Sequence, residues 1–516
     1  MRPFLRTLIF LSISAFSLIP SAFCNAGENS TLHELRGVWI TNVDSDVLDS
    51  REKIAEAMDF LAMTGINVVY PVVWNDAKTL YPSDLMEEEF GLRISSRFEG
   101  RDPLAELIVE AHRVGLEVVP WFEYGFAASY NKDGGELLKQ RPEWKGLDQE
   151  GNLAKKNNFE WMNAFDPEVQ DFLTSMVLEV VENYDIDGIQ GDDRMPAMPS
   201  LGGYDHKTVA MYREEFGQDP PADYKDPEWL QWRADILSDW FEELSDAVHA
   251  VDPNLTVSSS PSVYDWSLRE YLQDSKTWVE RGIVDSIHPQ NYRYELDAYK
   301  STLDSLLAQH DFDKTTFAPG LLTNVGSYRM TPEYMLEAIA YNREKGVPGE
   351  VHFFYEGLRR NSNELAHLLR RGPYALPAEI PYRAGMKWRP VPYQVQAVAE
   401  RGTGTWTKPS GAALDKLQLA KGEEGTMTWT LTAPAVDGVY NAYMLYPGEA
   451  QGDTAAVTYK LGSDAMQVDQ STVEGWTKVG QTRLAAGEEV QLTMEATGPA
   501  VAGPVLLLID RKAMRR

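Results

Sequence analysis

Cysteine is almost missing from this sequence: one residue, Cys24, in 516. A single thiol can neither close a disulfide within the chain nor build a multi-thiolate metal site. Basic residues are also scarce, 48 Lys and Arg against 78 Asp and Glu, for a formal net charge of −30. A surface of that sign repels nucleic acid and anionic membranes, so neither is expected as a partner. It describes an acidic, well-solvated exterior and by itself says nothing for a cationic substrate. Beyond the N-terminal segment, no run approaches the ~20 apolar residues that cross a bilayer. There is no GxxxxGK[ST] loop, no GxGxxG behind a strand and no HExxH, so nucleotide and zincin chemistry lack support. Ser258-Ser259-Ser260 lacks the GxSxG context of a nucleophilic serine. No cofactor and no metal are expected.

The N-terminal segment is of a different kind. Arg2 and Arg6 precede an apolar run and then small residues, the layout of a secretory signal peptide over residues 1–26 that ends at Ala26. The expectation is an exported protein, periplasmic or extracellular, with no membrane insertion after cleavage. A lipoprotein acylated on Cys24 is the minor alternative, because Phe23 is large where such sites take a small residue. Cleavage after Ala26 would leave no thiol at all, which suits an oxidising compartment.

What is present in quantity is core-forming material. Hydrophobic residues make up 43% and charged residues 24%, as in globular proteins, and the length implies a large domain plus a smaller one. From about Glu34 to Arg371 one grammar repeats: a short apolar run, a loop, an amphipathic helix. The runs are Gly37–Asn42, Asn67–Trp74, Leu116–Glu123, Gly188–Asp193, Thr256–Ser260, Val284–Gln290, Thr316–Leu321 and Glu350–Glu356. Helices are expected at Arg51–Thr64, Pro103–Val114, Pro167–Tyr184, Pro227–Val251 and Pro332–Lys345, four of them opening with Pro after Asp or Thr. Eight strands alternating with helices, without hairpin signals, predict an α/β fold, a (β/α)8 TIM barrel over residues 34–371. The long connections follow strands two, three and four, on the strand C-terminal face where barrel enzymes work. Residues 372–393 form a Pro-rich linker. Residues 394–516 carry short alternating runs between Gly, Asp and Pro turns and read as a smaller all-β sandwich.

Alternation along strand four turns Gly188, Gln190 and Asp192 inward and leaves Asp192 at the rim with Asp193 beside it. Adjacent carboxylates repel unless something uses or neutralises them. A catalytic pair is one reading; an acidic loop cap or an ion pair with Arg194 is the other. Further acids, amides and rings end the neighbouring strands: Trp39 and Asn42, Trp74, Trp121 and Glu123, His288, Gln290 and Tyr292, Tyr355 and Glu356. Rings stack on pyranose faces, amides bind hydroxyls, and two carboxyls can break a glycosidic bond. The expected function is therefore hydrolysis of an extracytoplasmic polysaccharide. Asp192 would be nucleophile or general base, Glu356 or Glu123 the proton donor, and Asp193 a support. The alternative is a carbohydrate-binding protein without catalysis. A weaker third reading is a metal-dependent deacetylase using His288, His352 and Asp192. Oligomeric state is open.

Arg36-Gly37-Val38-Trp39-Ile40-Thr41, Gly65-Ile66-Asn67-Val68-Val69-Tyr70, Asp187-Gly188-Ile189-Gln190-Gly191-Asp192-Asp193, Pro289-Gln290-Asn291-Tyr292 and Phe353-Phe354-Tyr355-Glu356-Gly357-Leu358 follow one another in order. This set resembles the glycosyl-hydrolase-like 10 family across about Glu34 to Arg371. The resemblance implies a TIM-barrel glycosidase acting on β-linked amino-sugar polymers such as peptidoglycan glycan, with the strand-four aspartate catalytic. Glu123 departs from it, standing where many members have Asn. Val468-Asp469-Gln470-Ser471, Gly475-Trp476, Val479-Gly480 and Leu508-Ile509-Asp510-Arg511 resemble a golvesin-type carbohydrate-binding-like module, which implies a polymer- or cell-wall-binding accessory domain.

Overall fold

The computed structural model describes residues 31–392, 395–396, 400–408, 417–419, 423–446 and 456–515. The signal-peptide reading of residues 1–26, with Cys24 and Ala26, falls outside the described residues.

Parallel strands alternate with helices from Leu35 to Arg371 and pair into two five-stranded sheets. The first runs, edge to edge, Gly320–Leu322, Gly349–Phe353, Leu35–Ile40, Val68–Pro71 and Glu117–Val118. The second runs Thr316–Phe317, Ser286–Ile287, Thr256–Ser259, Gly188–Gly191 and Trp121–Phe122. Strands three and seven thus contribute to both sheets, one piece on each side of Pro120 and Pro319. A proline has no N–H to continue a ladder, but its carbonyl still accepts: Pro120 O from Gln190 N at 2.9 Å, Pro319 O from Val351 N at 3.1 Å. The sequence reading had unbroken strands here. Each was continuous in direction but split in hydrogen bonding, and strand six keeps only Ser286–Ile287 in register ahead of Pro289.

In parallel sheets partnered residues share a face. Trp39 pairs with Tyr70, Trp121 with Gln190, Gln190 with Ser258 and Ser258 with Ser286. Trp39 Nε1 donates to Gln190 Oε1 at 2.6 Å across the interior, so these residues line one inner layer. The helices start where their caps stand. Asp102, Asp166, Asp226 and Thr331 each accept a backbone N–H of the first turn ahead of a proline at the helix start.

The loops at the strand C-terminal ends hold short antiparallel ladders that the sequence did not announce. Trp74–Asn75 pairs with Lys78–Thr79, Ala127–Tyr130 with Phe159–Trp161, and Asn324–Val325 with Tyr328–Arg329. Ladders of two to four residues are too short to leave an alternation signal.

After residue 400 every described strand pair is antiparallel. A five-stranded sheet and two three-stranded sheets bury a second hydrophobic core around Trp429, Tyr440, Met444 and Leu492, separate from that of the α/β part. The Pro-rich segment between them packs against the N-terminal ends of the strands, where Arg383 Nε donates to Glu117 at 3.0 Å and Arg389 Nε to Asp187 at 2.6 Å. No helix among the described residues is long and apolar enough to cross a membrane.

Candidate functional site

Strand four turns sharply after its last residue. A Cβ on Gly191 would lie 2.3 Å from Met195 O, so only glycine lets the following loop fold back over the strand end. Gly125, with φ near +47°, is the second requirement. A Cβ there would meet Arg194 O at 2.1 Å, and the contact brings the exit of strand three against Arg194.

The result is one guanidinium between three acids. Arg194 Nη2 donates to Asp192 Oδ2 at 2.7 Å and lies 3.4 Å from Glu123 Oε1, while Nη1 stands 2.9 Å from Asp193 Oδ1. Ser260 Oγ at 3.1 Å and Gln290 Nε2 at 2.9 Å donate to Asp192 Oδ1. Asn75 donates to the second oxygen of Glu123. Asp192 is 1% exposed. Burial lifts its carboxyl well above the usual range, the Asp193 charge adds to the rise, and Arg194 opposes it. Burial also raises Glu123, against Arg194 and Asn75. Burial works against the Arg194 charge, but Asp193, Asp192 and Glu123 outweigh it and hold the guanidinium protonated. Three carboxyls on one cation leave the cluster short of positive charge, so it retains a proton readily.

Aromatic rings enclose this group. Trp39 forms the floor, with Tyr70, Trp121, Tyr292 and Phe353 around it at centroid distances of 5.9, 6.4, 6.4 and 5.9 Å. Burial and the charges of Asp192 and Asp193 raise the Tyr292 phenol well above its usual range. Phe159 covers the Arg194 guanidinium at 4.5 Å. Trp121 Nε1 is buried with no hydrogen-bond partner among the described residues.

Of the residues singled out in the sequence, the structure brings together Asp192, Asp193, Glu123, Gln290 and Tyr292, with Trp39, Trp121 and Gln190 beneath them. His288 sits lower in the interior, bonded to Ala318 O and Tyr70 at 3.0 Å, and burial lowers its pKa to about 4. Four others lie elsewhere. Glu356 accepts from Ser45 Oγ at 2.9 Å on the first turn of a helix. Trp74 is fully buried, its indole donating to Gly125 O and its ring packed on Phe172. Tyr355 packs edge-on against Phe60. Asn42 O accepts from Arg97, and Asn42 Oδ1 is buried without a partner among the described residues.

His352, read as a metal partner of His288, pairs in register with Leu321, one residue out of phase with the inward Phe353. It points instead into the helix layer, 2.9 Å from Tyr374 Oη. No group of three or more His, Cys, Asp or Glu suited to a metal occurs among the described residues. Sequence reasoning missed Tyr271 and Gln273, which reach the site through a folded loop. Ser260 was within its reach, two residues beyond the inward Ser258.

The model of the family described as glycosyl hydrolase-like 10 matches residues 34–337. Glycosyl hydrolase YngK of Bacillus subtilis is 24% identical over 412 residues, 73% of this chain and 78% of the relative. Glycosyl hydrolase DigH of Escherichia coli is 28% identical over 303 residues, 50% of this chain and 65% of the relative. Among solved structures, the PgaB (BpsB) glycoside hydrolase domain from Bordetella bronchiseptica matches 65% of this chain and 99% of its own, with a TM-score of 0.50 at 13% identity. That likeness concerns the fold, a TIM-barrel-like parallel α/β core.

Proposed function

Since the chain belongs to the glycosyl hydrolase-like 10 family, we infer that it hydrolyses glycosidic bonds in an extracytoplasmic polysaccharide, peptidoglycan glycan by preference. The observation that carries this reading is the acidic trio on Arg194, set among aromatic rings at the strand C-terminal ends. The two sheets, sharing strands three and seven, are read as one closed (β/α)8 barrel, whose active face is this one.

Asp192 and Glu123 bind the same Arg194 nitrogen, at 2.7 and 3.4 Å. Their oxygens therefore lie no further apart than those two lengths laid end to end. That favours the ~5–5.5 Å spacing of retaining glycosidases over the ~6.5–9.5 Å of inverting ones. In this reading Glu123, its carboxyl raised by burial, gives its proton to the leaving oxygen as Asp192 attacks the anomeric carbon. Glu123 then takes a proton from water, which hydrolyses the glycosyl ester on Asp192. Asp193 and Tyr292 hold the sugar, and Arg194, the one cation of the cluster, opposes the rise of Asp192 and so favours its ionised form for attack. Glu356, bonded to Ser45, is not assigned a role in the chemistry.

The β region from residue 394 is read as a sandwich-type accessory module of golvesin kind, supported by its own core. Export to the periplasm or exterior is part of the same proposal and rests on residues 1–26. The test is incubation of the purified protein with uncrosslinked glycan strands, followed by reducing-end assay and NMR of the first anomer released. New ends with retained configuration are expected; inverted configuration would break the Asp192–Glu123 assignment. Strands that co-sediment uncut would favour binding without catalysis.

A further inference from the structure

Beside the acidic trio the mouth carries an aromatic shelf that the chemistry does not use. Trp266 is 42% exposed, unusual for the largest side chain, and lies on a short helix, Trp266–Tyr271, in the loop after strand five. Its ring stands 5.6 Å from that of Tyr271. Tyr271 in turn lies on the loop tied to the acids, where Gln273 two residues on donates to Asp192 O at 3.1 Å; burial and the Asp193 charge raise its phenol above the usual range, and Asn157 Nδ2 donates to its hydroxyl at 2.7 Å. The order outward from the reacting centre is thus Asp193, Tyr271, Trp266.

The shelf is also fixed to the reacting strand. Gln273, fully buried, donates to the backbone oxygens of Asp192 at 3.1 Å and Pro196 at 3.2 Å, and accepts from Ser262 N. Ser267 Oγ donates to Gln273 O at 3.1 Å. The loop after strand four ties down the far end, Met198 N to Tyr271 O at 3.0 Å and Ser200 N to Glu270 O at 3.1 Å. An exposed tryptophan held this firmly to a strand end by buried hydrogen bonds is a preset surface, ordered before any ligand arrives.

Two lysines share one carboxylate beside it. Lys156 Nζ lies 4.6 Å from the Tyr271 centroid and 6.0 Å from that of Trp266, and it is paired with Glu270. Lys225 is paired with the same carboxylate. What the shelf offers is the flat apolar face of Trp266, suited to the axial C–H face of a pyranose.

The geometry points to Trp266 as a remote glycan subsite: it stacks a sugar ring of the same chain that is cut at Asp192, so that the protein takes extended polysaccharide across its mouth. This rests on the glycosidase reading for the polymer's identity, and its test does not depend on turnover. Affinities of the full-length protein for β-linked N-acetylglucosamine oligosaccharides, from the disaccharide upward, are measured by calorimetry for wild type, Trp266→Ala and Trp266→Phe. Affinity of the wild type should rise with chain length. Trp266→Ala should lose roughly tenfold on the long chains and nothing on the disaccharide, Trp266→Phe should recover most of it, and added salt should change little. Equal loss at every length, no loss at any, or a steep salt dependence would overturn the subsite. Length-dependent binding lost in Trp266→Ala, without cleavage by the wild type, would uphold the subsite and sink the hydrolase reading. No binding at any length would sink both.

Discussion

One short strand carries buried aspartates at both ends, and their surroundings differ in kind. Asp187, at the N-terminal end, is fully buried but meets Arg389 at 2.6 Å, His112 at 3.0 Å, Trp388 Nε1 at 2.6 Å and Val118 N at 2.7 Å. Burial would raise it, yet Arg389 and His112 outweigh that and hold Asp187 far below the usual range; Asp185 beside it is lowered by the same partners. Asp192, at the other end, is as deeply buried, but shares a single Arg194 with two other acids and is raised instead. The base has cations enough for its acids, and the mouth has not. Conservative burial with full compensation builds structure; burial with too little leaves groups poised to exchange protons. The difference supports the proposed reading of the mouth as the chemical end.

Four changes probe that contrast, beginning with the largest effect. Glu123→Gln should lower glycan turnover by about a thousandfold with thermal stability unchanged, because the mouth loses a proton donor and not a structural tie. At the base the balance reverses. Arg389→Met strands Asp185 and Asp187 and should destabilise by about 3–5 kcal/mol in denaturant unfolding, with turnover per folded molecule preserved.

Arg194→Gln removes what opposes the rise of both Asp192 and Glu123. Both limbs of the pH–rate profile should then move to higher pH, and an unmoved profile would detach Arg194 from the chemistry. The smallest effect concerns stability against pH in the wild type. Asp185 and Asp187, lowered on folding, stabilise fully above the unfolded value of about 3.9 and lose that contribution as pH falls through their folded values. Glu117, raised by burial to about 7 despite Arg383, acts oppositely. Its contribution is complete below the ordinary glutamate value of about 4.3 and is lost as pH rises through 7. Melting temperature against pH should therefore decline on both sides of a mildly acidic maximum, and Glu117→Gln should flatten the alkaline side only.

The strand positions, the capped helix starts and the inward face of Gln190 and Asp192 were legible in the sequence, because each follows from local periodicity or a local cap. The hairpins of the mouth were not, since two-residue ladders leave no pattern. Arg194 was visible as a neighbour of the acids, but its reach to Glu123 depends on the close approach at Gly125, which joins residues 71 positions apart. Glu356 is placed differently from Glu123. It follows strand eight in sequence as Glu123 ends strand three, yet the chain has already entered a helix there and turns the carboxyl to Ser45. Tyr271 and Gln273 lie on a loop whose path no spacing rule gives.

In the proposed reading Asp192 is chemical and Asp187 structural, two carboxyls five residues apart that flank the strand Gly188–Gly191. The most direct test is turnover of purified glycan strands per folded molecule of Asp192→Asn, with unfolding measured on the same sample. Turnover reduced by about a thousandfold or more at unchanged or increased melting temperature is the expected result. Full turnover by Asp192→Asn would contradict it.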